Sequence, residues 1–73
     1  MKVVYSKHAK ERVDERQLSK SAIEKTISTP DFEVSSFRNR SVLRKKYKNK
    51  MLEVVIKKEN GKIHVITAYY LKE

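Results

Sequence analysis

The sequence predicts an α+β domain of order β-α-α-β-β-β, a helical hairpin packed on one face of an antiparallel sheet. Three observations predict it. Two stretches of good helix formers, each preceded by a serine, run up to Pro30. From Val42 the apolar spacing changes from that of a helix to the period of two of a strand. Asn60-Gly61 then stands between two alternating runs, and both residues tolerate the positive φ of a type I′ hairpin turn. At 73 residues the chain makes one domain with one thin core.

Val3-Val4-Tyr5 is short and β-prone and reads as an opening strand. Ser6 stands at a helix N-cap, and His8 to Arg16 contains neither Gly nor Pro. Ala9 and Val13, four apart, face a core. His8, Arg12 and Arg16 share that spacing and form a second stripe about 100° round the helix. Gln17-Leu18-Ser19 breaks the pattern. Ser21-Ala22-Ile23-Glu24 reads as a capping box opening the second helix, with Ser19 a competing cap. Ala22, Ile23, Thr26 and Ile27 make one narrow apolar face, and Pro30 ends the helix near Ser28 or Thr29.

In residues 31–41, Phe32, Val34 and Phe37 alternate with polar residues, and two readings stay open: a short strand, or a loop pinned to the core. Strands follow at 42–48, 51–58 and 62–70. The Asn-Gly turn sets a register in which Ile56 pairs with Val65, Val54 with Thr67 and Leu52 with Tyr69. One face then carries Leu52, Val54, Ile56, Ile63, Val65, Thr67 and Tyr69, and meets the helices. The other carries Glu53, Val55, Lys57, His64, Ile66, Ala68 and Tyr70. A two-residue turn at Asn49-Lys50 adds Arg44, Lys46 and Lys48 to this second face, with Arg44 opposite Val55 and Lys46 opposite Glu53. One more residue in that turn would exchange the faces of this strand.

Eighteen Lys and Arg against nine Asp and Glu give a net charge of +9. The excess peaks in residues 31–50, where seven basic and two acidic residues leave +5. Arg38, Arg40, Arg44, Lys45, Lys46, Lys48 and Lys50 supply it. Such a field suits a polyanionic partner; the alternative is a lysine-rich solvated surface. Cysteine is absent, which excludes disulfides and thiolate metal sites. Two histidines on different elements make no metal site. Gly61 is the only glycine, so there is no Gly-rich phosphate cradle. No apolar run approaches the roughly 20 residues that span a bilayer, and Met1 to Tyr5 lacks the apolar stretch of a signal peptide. The expectation is a cytoplasmic protein with no membrane partner and no cofactor.

RNA cleavage is the chemistry these residue types allow. A positioned 2′-hydroxyl attacks the adjacent phosphate, one side chain takes its proton, another protonates the leaving oxygen, and cations stabilise the transition state. The open face offers Arg44, Lys46, Glu53, Lys57, His64 and Tyr70. Arg44 and His64 are the candidate catalytic residues there. Arg44 is a planar phosphate clamp, whereas a half-exposed strand histidine is often only structural. Lys45, Lys46, Lys48, Lys57, Arg38 and Arg40 are the candidate RNA-binding cations. On the helix stripe, His8 near a positive helix end stays neutral and suits a general base; a purely structural His8 is the competing reading. For Arg12 and Arg16 the competing reading is a tie between helix and sheet.

The run Ser6-Lys7-His8-Ala9-Lys10-Glu11-Arg12-Val13-Asp14-Glu15-Arg16-Gln17-Leu18-Ser19 resembles the opening HAxxRxxxR signature of a family of small prokaryotic domains of unknown function. Thr29-Pro30-Asp31, a basic strand and Val65-Ile66-Thr67-Ala68-Tyr69 extend the likeness over essentially the whole chain. That family is similar to the RelE/ParE-like toxin superfamily and to barnase- and colicin-like ribonuclease folds. The resemblance implies a toxin of a toxin–antitoxin pair that cleaves mRNA, often on the ribosome, and is neutralised by an acidic antitoxin. It also implies functional roles for His8, Arg12 and Tyr69, with Arg16 and Thr67 as further family-matched positions. The sequence departs from the pattern at Gln17, where Gly is usual between the helices, and in lacking a C-terminal helix before Glu73. Two other readings stand beside the metal-independent endoribonuclease: a non-catalytic RNA-binding module, and a basic protein-binding domain with an acidic partner. Thr67 and Tyr69 fall on the face assigned to the core, so two candidate sites compete, the open face and the helix stripe.

Overall fold

Ser6 and Ser19 each start a helix by taking up a backbone N–H on the side-chain oxygen, from Ala9 at 3.0 Å and from Ala22 at 3.2 Å. The computed structural model describes residues 2–36 and 38–71. Its elements are β1 (Lys2–Tyr5), α1 (Lys7–Glu15), α2 (Lys20–Ser28), β2 (Phe32–Ser35), β3 (Arg40–Tyr47), β4 (Lys50–Glu59) and β5 (Lys62–Leu71). The cap of α2 is thus Ser19 rather than Ser21. The Ser19 carbonyl accepts from Ile23 at 3.0 Å, so the earlier start adds helical turn. α1 closes in a Schellman motif: Leu18 N–H donates to the Val13 carbonyl and Gln17 N–H to that of Asp14. Gln17 occupies the left-handed position with φ 52°, where Gly is ordinarily favoured.

The five strands form one mixed sheet in the order β1-β5-β4-β3-β2. Two expectations are corrected here. The sheet is not wholly antiparallel, because β1 pairs with β5 in parallel, Lys2 opposite Lys62 and Tyr5 opposite Val65. The helical hairpin between β1 and the remaining strands supplies the crossover that a parallel pair needs. The segment after Pro30 is a strand, so the order is β-α-α-β-β-β-β. β2 pairs with β3 from Phe32–Arg44 to Ser35–Ser41, and Asp31 accepts the Lys46 N–H on its carboxylate at the start of that ladder. Phe37 lies outside the described residues.

The helices cover one face. Ala9, Val13, Leu18 and Ile23 pack with Leu43, Leu52, Val54, Ile56, Ile63, Val65 and Ala68 in one core. Among the described residues no helix is long and apolar enough to cross a membrane.

Two features set which side chains look away from the helices. The β3–β4 turn falls on Lys48-Asn49, with Lys48 at φ 54°, so Tyr47 pairs with Lys50 and Arg44 with Glu53. This moves the expected partners by two residues and leaves the faces as expected. The β4–β5 turn is Asn60-Gly61 with φ 53° and 71°, and the predicted pairs Glu59–Lys62 and Ile56–Val65 form. Beyond them a β-bulge intervenes: Val55 pairs with Thr67, Val54 with Ala68, Glu53 with Tyr69 and Leu52 with Tyr70. Ile66 is the extra residue, and the side chains after it change face. Thr67 and Tyr69 therefore lie on the open face, and Ala68 and Tyr70 on the core side, the reverse of the expectation. Ala68, 1% exposed, fits the inner face that a tyrosine at that point would overfill.

Candidate active site

The corrected register places four residues in one row across the open face: Phe32 on β2, Arg44 on β3, Glu53 on β4 and Tyr69 on β5. Strands lie about 4.8 Å apart, so the row spans roughly 14 Å. Glu53 is its centre. Strand alternation puts it outside the helix-covered core, yet its side chain is only 6% exposed, held between Arg44 and Tyr69. Arg44 Nε donates to Oε1 at 2.6 Å, and the Tyr69 hydroxyl donates to Oε2. A carboxylate removed from water needs such partners on both oxygens. Arg44 itself is 48% exposed, so the far edge of its guanidinium fork is accessible from solvent.

Arg16 joins the row from the other layer. β1 pairs with β5 only as far as Val65, which leaves the later half of β5 as a sheet edge. Arg16, at the C-cap of α1, donates to the edge carbonyl of Ala68 at 2.8 Å and holds its guanidinium carbon 5.8 Å from the centroid of the Tyr69 ring. The two candidate sites thus touch: the last member of the helix stripe meets the tyrosine of the open-face row.

The rest of the stripe stays on the helix surface. His8 is 85% exposed, with Nδ1 3.8 Å from a Glu11 carboxylate oxygen. Arg12 pairs with Glu15 at 3.2 Å. Neither is brought to Glu53. His64 stands in a different row, alongside Lys57 and Arg40. Lys57 is four residues along β4 from Glu53, or about 13 Å at the usual strand rise, so His64 is separate from the Arg44–Glu53–Tyr69 group. Thr67 faces outward opposite Val55, in the next row.

The basic residues divide by face. Lys46 and Arg40 share the open face with Arg44, as does Lys57, whose Nζ is 3.6 Å from Glu59. Arg38 and Lys48 occupy turns at the two ends of β3. Lys45 points to the helix side, where its amine donates to the Thr29 carbonyl at 2.7 Å and lies 3.8 Å from Asp31. Of the candidate RNA-binding cations, Lys45 is thus the one on the helix side of β3. Tyr70, expected on the open face, is packed at the margin of the core.

Glu53 is the residue whose weight the sequence understates. In an alternating strand it reads as one more solvated charge. The signal that would find it is the bulge, which sets Tyr69 rather than Ala68 beside it.

Among the described residues no group of three or more His, Cys, Asp or Glu could hold a metal ion. Fold and row together define the class, a small α+β domain with a two-helix layer and a cationic open sheet face centred on a partnered, buried carboxylate. The chain belongs to the family described as a domain of unknown function (DUF4258), whose model matches residues 5–70. No curated protein and no solved structure matches it.

Proposed function

We propose that this protein is a RelE-like, metal-independent endoribonuclease of the cytoplasm, the toxin of a toxin–antitoxin pair, with RNA as its substrate. The observation that supports this reading is the row Arg44–Glu53–Tyr69, an acid–base pair beside a cation on a basic surface. Glu53 takes the proton of the RNA 2′-hydroxyl; each carboxylate oxygen has a second lone pair beyond the one used by Arg44 or Tyr69. The 2′-oxygen bonds to phosphorus, and the bond from phosphorus to the 5′-oxygen breaks. That oxygen takes the Tyr69 proton, and Glu53 returns its own to Tyr69 along their hydrogen bond. The products are a 2′,3′-cyclic phosphate and a 5′-hydroxyl. The outer edge of Arg44 holds the phosphate and opposes the charge that builds on it. The charge of +9 suits RNA as well as an acidic antitoxin, to which it would speed association.

The test is cleavage of a defined RNA by the purified protein in EDTA. Cyclic phosphate ends are expected, with no cut where a single 2′-deoxyribose replaces the ribose at the scission point. Glu53→Gln, which keeps the shape and loses the base, is expected to lose activity, and induction of the unmutated protein in bacteria to stop growth. A chemical step that requires Mg²⁺, or full activity in Glu53→Gln, overturns the mechanism. Tight RNA binding without any cleavage would leave an RNA-binding module.

A further inference from the structure

β2 carries the two exposed large hydrophobic side chains of the described residues, Phe32 at 59% and Val34 at 62%. Both point to the open face, because Phe32 pairs with Arg44 and Val34 with Val42. Together these four residues line a concavity of about 270 Å³. Its floor is apolar, and its far wall is the arginine that grips Glu53. An exposed phenylalanine on an edge strand is an aggregation liability, and nothing in the core requires it there. Around it stand Arg40, Arg44 and Lys46, while the carboxylate of that row, Glu53, is already taken up by Arg44 and Tyr69. The cleft is thus largely apolar, with an aromatic ring on one side and a guanidinium on the other, and set in a positive field.

We infer that this cleft is a nucleobase subsite for single-stranded RNA: a base stacks on Phe32 against Val34 and Val42, while the phosphate next to it lies on Arg44. The inference rests on the proposed RNA reading and adds to it the strandedness of the substrate and the residues that read it. Base faces stack on exposed aromatic rings of a sheet only when they are not already stacked in a duplex. In a double helix the bases are enclosed, and only the phosphates would meet this surface. Because Phe32 and Arg44 are neighbours in one row, the base held by the first adjoins the phosphate held by the second. The subsite thereby places one particular linkage over Glu53 and Tyr69.

The experiment measures binding of the whole protein to a labelled oligoribonucleotide whose 2′-oxygens are methylated, so that it cannot be cut. The same sequence is used single-stranded and annealed to its complement. Single strands are expected to bind tighter than the duplex at equal salt. Phe32→Ala is expected to weaken single-strand binding by about five- to 150-fold, the range that loss of one stacked base gives, and to leave duplex binding unchanged. Phe32→Tyr keeps the ring and retains affinity; Phe32→Leu keeps apolar bulk and loses most of it. Circular dichroism melts of each variant check the fold, which an exposed site should not disturb. If the unmutated protein binds neither form, the RNA reading falls and the subsite with it. If it binds RNA but Phe32→Ala is indifferent, or the duplex binds as well as the single strand, the RNA reading stands and the subsite is wrong.

Discussion

Arg44 and Tyr69 meet at one carboxylate: the guanidinium Nε donates to one oxygen of Glu53 and the phenol to the other. The two donors come from strands on either side of β4, so the site exists only when three strands are in register. The same arrangement makes Arg44 a structural residue. Read from the sequence it is a phosphate clamp on the open face; with Glu53 6% exposed, its removal also strips a buried carboxylate of its cation.

Arg44→Ala is therefore expected to destabilise the protein by about 1–3 kcal/mol, besides losing activity. In a domain of this size each kcal/mol shifts Tm by about 4–8 °C. The double variant Arg44→Ala/Glu53→Ala should recover part of that loss, because it leaves no orphaned charge. Thermal melts of the two single variants and the double one form the cycle. A Tm for Arg44→Ala within a degree of the unmutated protein would refute the buried-partner account.

Lys45 and Lys46 are adjacent in sequence and face opposite sides of the sheet. Binding to single-stranded RNA through four to six phosphates should give a log–log salt slope of about −3 to −4, and removing the cation that meets one phosphate should make it shallower by about 0.7. Lys46→Ala is expected to show that reduction. Lys45→Ala is not, since its amine is spent on Thr29 and Asp31, and its effect should appear in Tm. Equal slope changes in the two variants would mean that the faces of β3 are misassigned.

Much of the fold is legible in the sequence, for local reasons. Ser6, Pro30 and Asn60-Gly61 act on their immediate neighbours, and each sets the boundary that its chemistry demands. The parts that escape depend on distant partners. Phe32-Glu33-Val34-Ser35 does alternate, but over four residues and with no buried side chain among them, so the pattern alone does not separate an edge strand from a pinned loop. The bulge is invisible because Ile66 suits either face, so a period of two continues through it without protest. Carried past that point, the period puts Tyr69 in the core and leaves Glu53 an ordinary surface charge. Arg44, whose strand contains no bulge, falls on the expected face because the β3–β4 turn, though one residue earlier than expected, still has two residues.

Gln17 holds a left-handed backbone at φ 52°, where a side chain costs about 1 kcal/mol or more relative to glycine. Gln17→Gly is expected to raise Tm by several degrees while both hydrogen bonds of the Schellman motif persist. A melt at neutral pH decides it; a lowered Tm would show that the glutamine side chain contributes more than its backbone costs.

Tyr5 has a buried hydroxyl with no hydrogen-bond partner. Burial, and then the negative charge of Glu24, hold its pKa above the ordinary 10.0. The folded state therefore keeps this proton longer than the unfolded state, and stability falls as pH rises past 10.0. Tyr5→Phe is expected to be neutral or up to about 1 kcal/mol stabilising at pH 7, where an unpaired polar group is removed. Between about pH 9 and 11 its Tm should drop less than that of the unmutated protein. An equal alkaline drop in both would refute the assignment.

The bulge at Ile66 works as a change of reading frame. Before it, odd-numbered residues of β5 face the helices; after it, even-numbered ones do. The strand thus spells two interleaved texts, Ile63, Val65, Ala68 and Tyr70 for the interior and His64, Thr67 and Tyr69 for the surface, and one supernumerary letter marks the switch. Substitutions can edit either text without disturbing its companion. Excising Ile66 would spare both, since Val65, Thr67, Ala68 and Tyr69 would then alternate without interruption. Absorbing Ile66 into the ladder as an ordinary paired residue would instead transpose them, turning Thr67 and Tyr69 inward and Ala68 and Tyr70 outward. Here the meaning of each letter depends on a neighbour that belongs to neither text.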